Sequence, residues 1–195
     1  MKRGQTAQLK RSLPAKVALA FADGINAFSR DQRGVAAIEF GLFAIFLSLA
    51  LVNVTDISIY IYQRMQVENA TQVAAQAAWK ACDTPQLPAT INCPGLASAV
   101  QSAVHSTSLG TRVSLISGSP SEGYYCVNTL NALQYVSAVA ASKPLDCTAA
   151  GTPSLQPGDY IQVQSTFPYA PLFPGLSISS TFSTPITRTA IMRLG

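Results

Sequence analysis

The longest hydrophobic segment of this 195-residue chain runs from Val35 to Val52 and contains one charged side chain, Glu39. As a helix, these eighteen residues would span about 27 Å, close to the ~30 Å hydrocarbon core of a bilayer. A carboxylate inside lipid is energetically costly, so an intramembrane glutamate indicates a functional role. The pattern therefore predicts a transmembrane helix over residues 35–55, with Glu39 as a candidate functional residue.

The helix is predicted to continue beyond the membrane over residues 56–82, because no Gly or Pro occurs from Asp56 to Cys82. A continuous helix from Val35 to Ala81 would be about 70 Å long. We expect Tyr60 and Tyr62 near the outer membrane interface. The following positions keep a period of about 3.6 residues and predict the packed face: Ile57, Ile61, Met65 (or Arg64 beside it), Glu68, Thr71, Ala75 and Ala78. Small residues would permit close packing with a domain or with a neighbouring subunit: Ala70, Ala74, Ala75, Ala77 and Ala78.

Residues 83–195 alternate between helical and strand patterns. A second helix is predicted from Leu96 towards Gly110, with Leu96, Val100 and Val104 on one apolar face. Strands are predicted at 112–117, 123–128, 158–167 and 183–193, and a short helix at Leu130, Leu133, Val136 and Val139. The fold class expected is α+β, with a long N-terminal helix packed on a small antiparallel sheet that has short helices on one face.

Two further segments allow two interpretations each. The loop from Pro168 to Gly175 and its flanks are too apolar for a solvated loop, so their side chains form either core or a subunit contact, and we favour core. Asn53 and Asp56 follow the apolar run directly. They are either solvated at the membrane edge or in contact with another helix, and we favour solvation.

The positive charge of the chain is concentrated before the apolar run. Residues 1–34 hold seven Lys or Arg and two Asp, whereas residues 35–195 hold six basic and seven acidic side chains. This asymmetry predicts a cytoplasmic basic leader over residues 1–34 and an external remainder. The leader either forms a short amphipathic helix on the inner leaflet or is disordered. Nucleic-acid binding is not expected, because no basic patch with interleaved aromatic residues lies outside the leader.

The four cysteines, Cys82, Cys93, Cys126 and Cys147, all follow the apolar run. An even number in an exported domain predicts two disulfides, and three pairings are possible. Short loops favour Cys82–Cys93 with Cys126–Cys147. A zinc site is not expected, because the cysteines lack C-x2-C spacing and His105 is the only histidine.

The residues before and within the apolar run carry a family resemblance. The segment Arg33-Gly-Val-Ala-Ala-Ile-Glu-Phe40 resembles the processing site of type IV pilin-like precursors, and most of all that of the TadE-like pseudopilins of tight-adherence pili. The resemblance extends to the strand that begins at Gly158, the proline-rich loop that follows it and the terminal Ala190-Ile-Met-Arg193. It implies cleavage by a prepilin peptidase between Gly34 and Val35.

The resemblance also implies the partners of the protein. These are the prepilin peptidase, the major pilin and other pseudopilins, and the inner-membrane assembly platform. Cleavage would create an α-ammonium on Val35, and Glu39 of a neighbouring subunit could pair with that charge and offset its own desolvation. We therefore expect a single-pass inner-membrane protein with a periplasmic disulfide-bonded domain over residues 83–195.

Two other classes of protein remain as alternatives. The apolar run could be an ordinary signal anchor with Glu39 among the headgroups, in an unprocessed single-span protein with a periplasmic binding or sensor domain. It could also be a secretory signal peptide, although no convincing small-x-small cleavage site follows the run. An enzyme is not expected, since nucleophile, P-loop, dinucleotide and metal motifs are absent. Asp146 and Asp159 are interpreted as isolated carboxylates beside turns, and no cofactor or small-molecule substrate is expected.

Overall fold

A computed structural model describes residues 33–195, which form three helices and five strands joined by short 3-10 turns. The inner-leaflet helix considered for the leader lies outside the described residues. The chain divides into two compact units, the first ending at Ala50 and the second spanning Leu51–Gly195. The predicted α+β class, with a long N-terminal helix and an antiparallel sheet, is confirmed.

Helix α1 spans Arg33–Lys80, a run of 48 residues without proline. Its composition favours this length, because Ala is its most frequent residue and its two glycines, Gly34 and Gly41, lie near its start. The helix ends in a turn at Ala81 and Cys82, and Pro85 follows within a 3-10 turn. The predicted continuation beyond the apolar run is therefore present.

Strand β4 (Gly158–Phe167) is the centre of the sheet. It pairs along its length with β5 (Ile186–Arg193), so the other partners use its opposite edge. There β1 (Ser114–Leu115) pairs with the end of β4 and β2 (Ser121–Val127) with its beginning. Strand β3 (Leu133–Ala138) pairs with β2, and all pairings are antiparallel. The clear alternation in β4, with Ile161, Val163, Ser165 and Phe167 buried, places one face of the sheet in the core.

The core of the second unit contains the part of α1 that follows Leu51. Val67, Ala70, Ala74 and Ala78 are completely buried in one cluster with Ile161 and Val163 of β4. Small side chains let the helix backbone lie close to the sheet. The predicted stripe was correct for Thr71, Ala75 and Ala78 but wrong for Ile61, Met65 and Glu68, which are exposed. The error arose because the prediction followed the large apolar side chains, whereas the sheet packs against the small ones.

A strand occupies the position where the sequence predicted a third short helix. Residues Leu133–Ala138 form β3, which makes a hairpin with β2. The side-chain oxygen of Asn128 accepts hydrogen bonds from the backbone N–H groups of Leu130 and Ala132, and Asn131 has a φ of 57°. Asn adopts this left-handed conformation more readily than most residues, so the turn determines the hairpin and overrides the helical spacing.

Two short helices and two disulfides complete the second unit. Helices α2 (Ala89–Asn92) and α3 (Leu96–His105) follow α1, and α3 buries the predicted face of Leu96, Val100 and Val104. Disulfides join Cys82 to Cys93 and Cys126 to Cys147, closing segments of 11 and 21 residues. Loops of this size give roughly 3 kcal/mol of stabilisation per bond on the chain-entropy account.

Candidate functional site

The residues predicted to be cleaved lie in the first turn of α1. The helix begins at Arg33, so Gly34 and Val35 are helical, and the side chain of Val35 is 57% exposed. A Cβ added to Gly34 would meet no atom within 4 Å. Glu39 lies one helical turn after Val35 and is exposed. Gly34, Val35 and Glu39 are therefore all exposed on the described part of α1.

The apolar run of α1 exposes its large side chains in the first unit. Phe40, Phe43 and Phe46 are each at least 70% exposed, and the neighbouring Ile and Leu residues are also solvent-facing. By length and composition, α1 is the one helix among residues 33–195 that could cross a membrane. Large apolar side chains exposed over such a length indicate a surface that meets lipid or another helix.

A buried carboxylate follows the apolar run within the second unit. Asp56 has no exposed surface, and its carboxylate accepts hydrogen bonds from the backbone N–H groups of Leu172 (3.1 Å) and Phe173 (3.2 Å). The hydroxyl of Ser179 donates a third bond to it over 3.3 Å. One turn earlier, the side-chain oxygen of Asn53 accepts from the N–H of Ile178 over 2.9 Å. We call these two residues and their four donors the Asp56 cluster.

The Asp56 cluster corrects the prediction of solvation for Asp56, which is buried, and in part for Asn53, which is half-buried and bonded to Ile178. Instead, Asp56 fixes α1 to a loop more than 110 residues later in the chain. A buried carboxylate must be hydrogen-bonded, and a loop offers free backbone N–H groups for that purpose. The sequence offers one hint, a serine-containing segment without charged side chains at residues 160–187, but nothing in it identifies that segment as the partner of Asp56.

The proline-rich loop is divided between core and surface. The preferred prediction that its apolar side chains are core holds for Phe167 and Tyr169, which are 2% and 7% exposed. It is wrong for Leu172 and Leu176, both 61% exposed. Tyr60 packs edge-on against Tyr169, with ring centres 4.9 Å apart, and its expected position at the membrane interface stays a prediction. The other expected interfacial tyrosine, Tyr62, is exposed.

Asp159 is not the isolated carboxylate that the sequence suggested. It is buried, and in the register of β2 and β4 it pairs with Tyr124. Glu122 lies two residues before Tyr124 on the same face of β2, so the carboxyl groups of Asp159 and Glu122 are neighbours. Burial and the charge of Glu122 raise the pKa of Asp159 to about 7, while the Lys143 ammonium opposes that rise. The Glu122 carboxylate accepts hydrogen bonds from the N–H groups of Ala89 and Thr90. The pair thus connects the sheet to the start of α2.

Removing the charge of Asp159 should stabilise the second unit at neutral pH. Because the folded-state pKa lies above the unfolded value of 3.8, folding takes up a proton, and stability falls as pH rises from about 4 to about 7. The stability of Asp159→Asn, measured by thermal unfolding, should therefore lose this pH dependence. At pH 8 its free energy of unfolding should exceed that of the unmodified protein by about 1–2 kcal/mol, a figure reduced to account for screening by solvent. Asp83→Asn, at an exposed position, is the control, and an unchanged pH profile in Asp159→Asn would contradict the assignment.

The cysteines and Asp146 have structural roles in the described part of the chain. All four cysteines are in disulfides, and none is free. Among residues 33–195 there is no group of three or more His, Cys, Asp or Glu side chains that could hold a metal ion. Asp146 accepts a hydrogen bond from the N–H of Thr148, which is a turn-capping role.

A comparison with known protein families finds a match for the segment that contains the exposed apolar run. Residues 34–76 match the family model of the TadE-like proteins. Over this segment the chain is similar to the TadE-like proteins. No curated protein sequence and no solved structure matches the chain significantly.

The TadE-like segment begins at Gly34 and contains Glu39, the candidate from the sequence, as well as Asn53 and Asp56, which the structure singles out. It covers 43 of the 195 residues and ends within α1. The sheet and the proline-rich loop lie outside it, so the resemblance seen at residues 158–193 stays a prediction. The TadE-like match therefore concerns the apolar run and most of the part of α1 that follows it.

Proposed function

We propose that the protein is a membrane-anchored pseudopilin of a tight-adherence pilus system, matured by a prepilin peptidase that cleaves after Gly34. The observation that carries this proposal is the coincidence of three features at one place. The TadE-like match starts at Gly34, the exposed apolar run starts at the next residue, and Glu39 is its one charge. A structural role in a pilus needs contacts between helices and no catalytic centre.

The charge distribution and the disulfides support a single orientation in the inner membrane. Seven basic side chains before Val35 favour a cytoplasmic leader. The disulfides Cys82–Cys93 and Cys126–Cys147 lie beyond the apolar run, and such bonds persist in an oxidising compartment such as the bacterial periplasm. The second unit is accordingly periplasmic, and it is connected to the membrane by one continuous helix, α1.

Assembly would depend on an ion pair between subunits. Cleavage leaves a cationic α-amino group on Val35, and Glu39 lies about 6 Å further along the helix axis. On the same helix, the two groups are poorly placed for a direct bond, so the better partner of Glu39 is the Val35 ammonium of a neighbouring subunit. Pairing offsets the cost of the carboxylate in lipid and ties two staggered helices together.

The partners follow from these steps. The prepilin peptidase recognises the segment around Gly34, and the major pilin and other pseudopilins supply the neighbouring apolar helices. The inner-membrane assembly platform receives the processed subunit, and membrane lipid surrounds the apolar run before assembly.

Gly34→Leu should block maturation while leaving the protein in the membrane. The leucine would not clash with its own chain, since a Cβ at Gly34 has open space around it. The effect would therefore come from the peptidase, which needs a residue without a side chain before the scissile bond. The measurement is the intact mass of the protein in cells that contain the peptidase, and we expect a species heavier by the 34-residue leader.

A matched control is available seven residues further along the same helix. Gly41 also has open space at its Cβ position, so Gly41→Leu makes the same chemical change outside the cleavage site. We expect normal maturation of this variant. Maturation of Gly34→Leu at the rate of Gly41→Leu would refute cleavage after Gly34.

A further inference from the structure

An apolar surface lies on the part of the proline-rich loop that faces outward. Leu172, Leu176 and Ile178 are 61%, 61% and 57% exposed, and Phe173 is 39% exposed. The adjoining hydroxyl residues Ser177 and Ser179 are buried. This alternation, with serines inward and leucine and isoleucine outward, is the reverse of an ordinary solvated surface.

The Asp56 cluster explains why these apolar side chains stay outside. The backbone N–H groups of Leu172, Phe173 and Ile178 point at the helix, where Asp56 and Asn53 accept them. With these N–H groups bound inward, the side chains of Leu172, Leu176 and Ile178 are held outward. A buried carboxylate therefore keeps these side chains exposed. Burying a carboxylate costs free energy unless it is hydrogen-bonded, so the arrangement indicates that the exposed side chains have a function.

The position of this surface along the chain points to its occupant. Asn53 follows Val52, the last residue of the apolar run, and Asp56 is one turn further. Residues 172–178 are therefore fixed within about one helical turn of the point where the run ends. No Lys, Arg, Asp or Glu occurs between Asp159 and Arg188, so this segment can approach lipid without desolvating a charge.

We propose that residues 172–178 form a second membrane contact, in which Leu172, Phe173, Leu176 and Ile178 insert among the lipids of the leaflet through which α1 leaves the membrane. The ligand is the boundary between headgroups and acyl chains of a phospholipid bilayer. This proposal rests on the membrane anchoring in the proposed function. It assigns the loop a role of its own, which is to determine the part of the second unit that meets the lipid surface.

Tryptophan fluorescence in vesicles tests the proposal with the full chain. Trp79 is the only tryptophan in the sequence, so the Trp79→Phe variant has no tryptophan fluorescence. A single tryptophan is then introduced into this variant as Leu176→Trp, Leu130→Trp or Phe43→Trp. Leu130 lies in the β2–β3 turn, and the pairing of Tyr125 with Gly158 places that turn at the opposite end of β4 from the loop. Phe43 lies in the apolar run and reports on the anchor itself.

Each variant is reconstituted in phosphatidylethanolamine and phosphatidylglycerol vesicles that contain lipid brominated either high or deep on the acyl chain. Interfacial segments bury apolar side chains roughly 5–10 Å into the headgroup and acyl boundary, so shallow bromine should quench Leu176→Trp at least about twofold more than deep bromine. Leu130→Trp should not be quenched, and Phe43→Trp should be quenched by deep bromine.

The outcomes separate the two proposals. If the fluorescence of Leu176→Trp is no more quenched than that of Leu130→Trp while Phe43→Trp is quenched, the loop contact is overturned and the anchor remains. Unquenched Phe43→Trp would overturn the anchor and the loop contact together. The emission of Leu176→Trp could instead be blue-shifted without quenching, and the shift could disappear when the protein is diluted in lipid. That result would show another subunit on this surface and would also overturn the lipid contact.

Discussion

Asp56→Ala should lower the stability of the second unit by about 3–5 kcal/mol, because hydrogen bonds to a charged group contribute about 1.5–3 kcal/mol each and the orphaned N–H groups add a penalty. Three donors lose their acceptor in this variant: the N–H groups of Leu172 and Phe173 and the hydroxyl of Ser179. Domains are typically stable by only 5–15 kcal/mol, so the melting temperature should fall by roughly 10–15 °C. The loop should also become accessible to proteases.

The measurement is thermal unfolding of the full chain in detergent, followed by limited proteolysis. Asp83→Ala is the matched control, because Asp83 is exposed and its side chain caps no helix. Exposed substitutions of this kind usually change stability by no more than about 0.5 kcal/mol. Equal melting temperatures for the two variants would show that Asp56 does not hold the loop.

Glu39→Ala should abolish pilus formation while leaving a processed and folded protein. Removing a charge that is costly in lipid should not impair insertion. The sheet belongs to the second unit, whereas Glu39 lies in the first, so folding of the sheet does not need it. What is lost is the acceptor for the Val35 ammonium of the neighbouring subunit. Pili would be counted by electron microscopy, and maturation and disulfide formation would be followed by mass.

Glu68→Ala provides the control on the same helix. Glu68 is half exposed and pairs with Arg188 over 3.8 Å, and such surface pairs contribute about 0–1 kcal/mol. This variant should keep its pili. Glu39→Gln retains the shape of the side chain and should fail like Glu39→Ala, since the ion pair requires the charge. Normal pili in Glu39→Ala cells would rule out the ion pair.

Features set by local sequence could be predicted well. The length of α1 follows from a run without proline, and β4 follows from strict alternation over Gly158–Phe167. Helix α3 follows from the spacing of Leu96, Val100 and Val104. In each case one face of the element is apolar and the period of the pattern identifies the element.

Features set by contacts distant in sequence could not be predicted. Asp56 is buried because a loop more than 110 residues away donates hydrogen bonds to it. The pKa of Asp159 is raised because Asp159 is buried and because strand register brings Glu122 beside it. Segment 133–138 has apolar residues at helical spacing, yet the Asn128 turn pairs it with β2 instead. These outcomes depend on which elements meet, and periodicity within one element carries no information about that.

The N-terminal sequence of the mature protein, purified from the membranes of its own cells, decides whether the chain is cleaved after Gly34. We expect the mature chain to begin at Val35, so that Glu39 becomes its fifth residue. A chain that begins at Met1 would contradict it in favour of an unprocessed single-span protein. A chain that begins beyond Ala50 would contradict it in favour of a secreted protein that has lost the apolar helix.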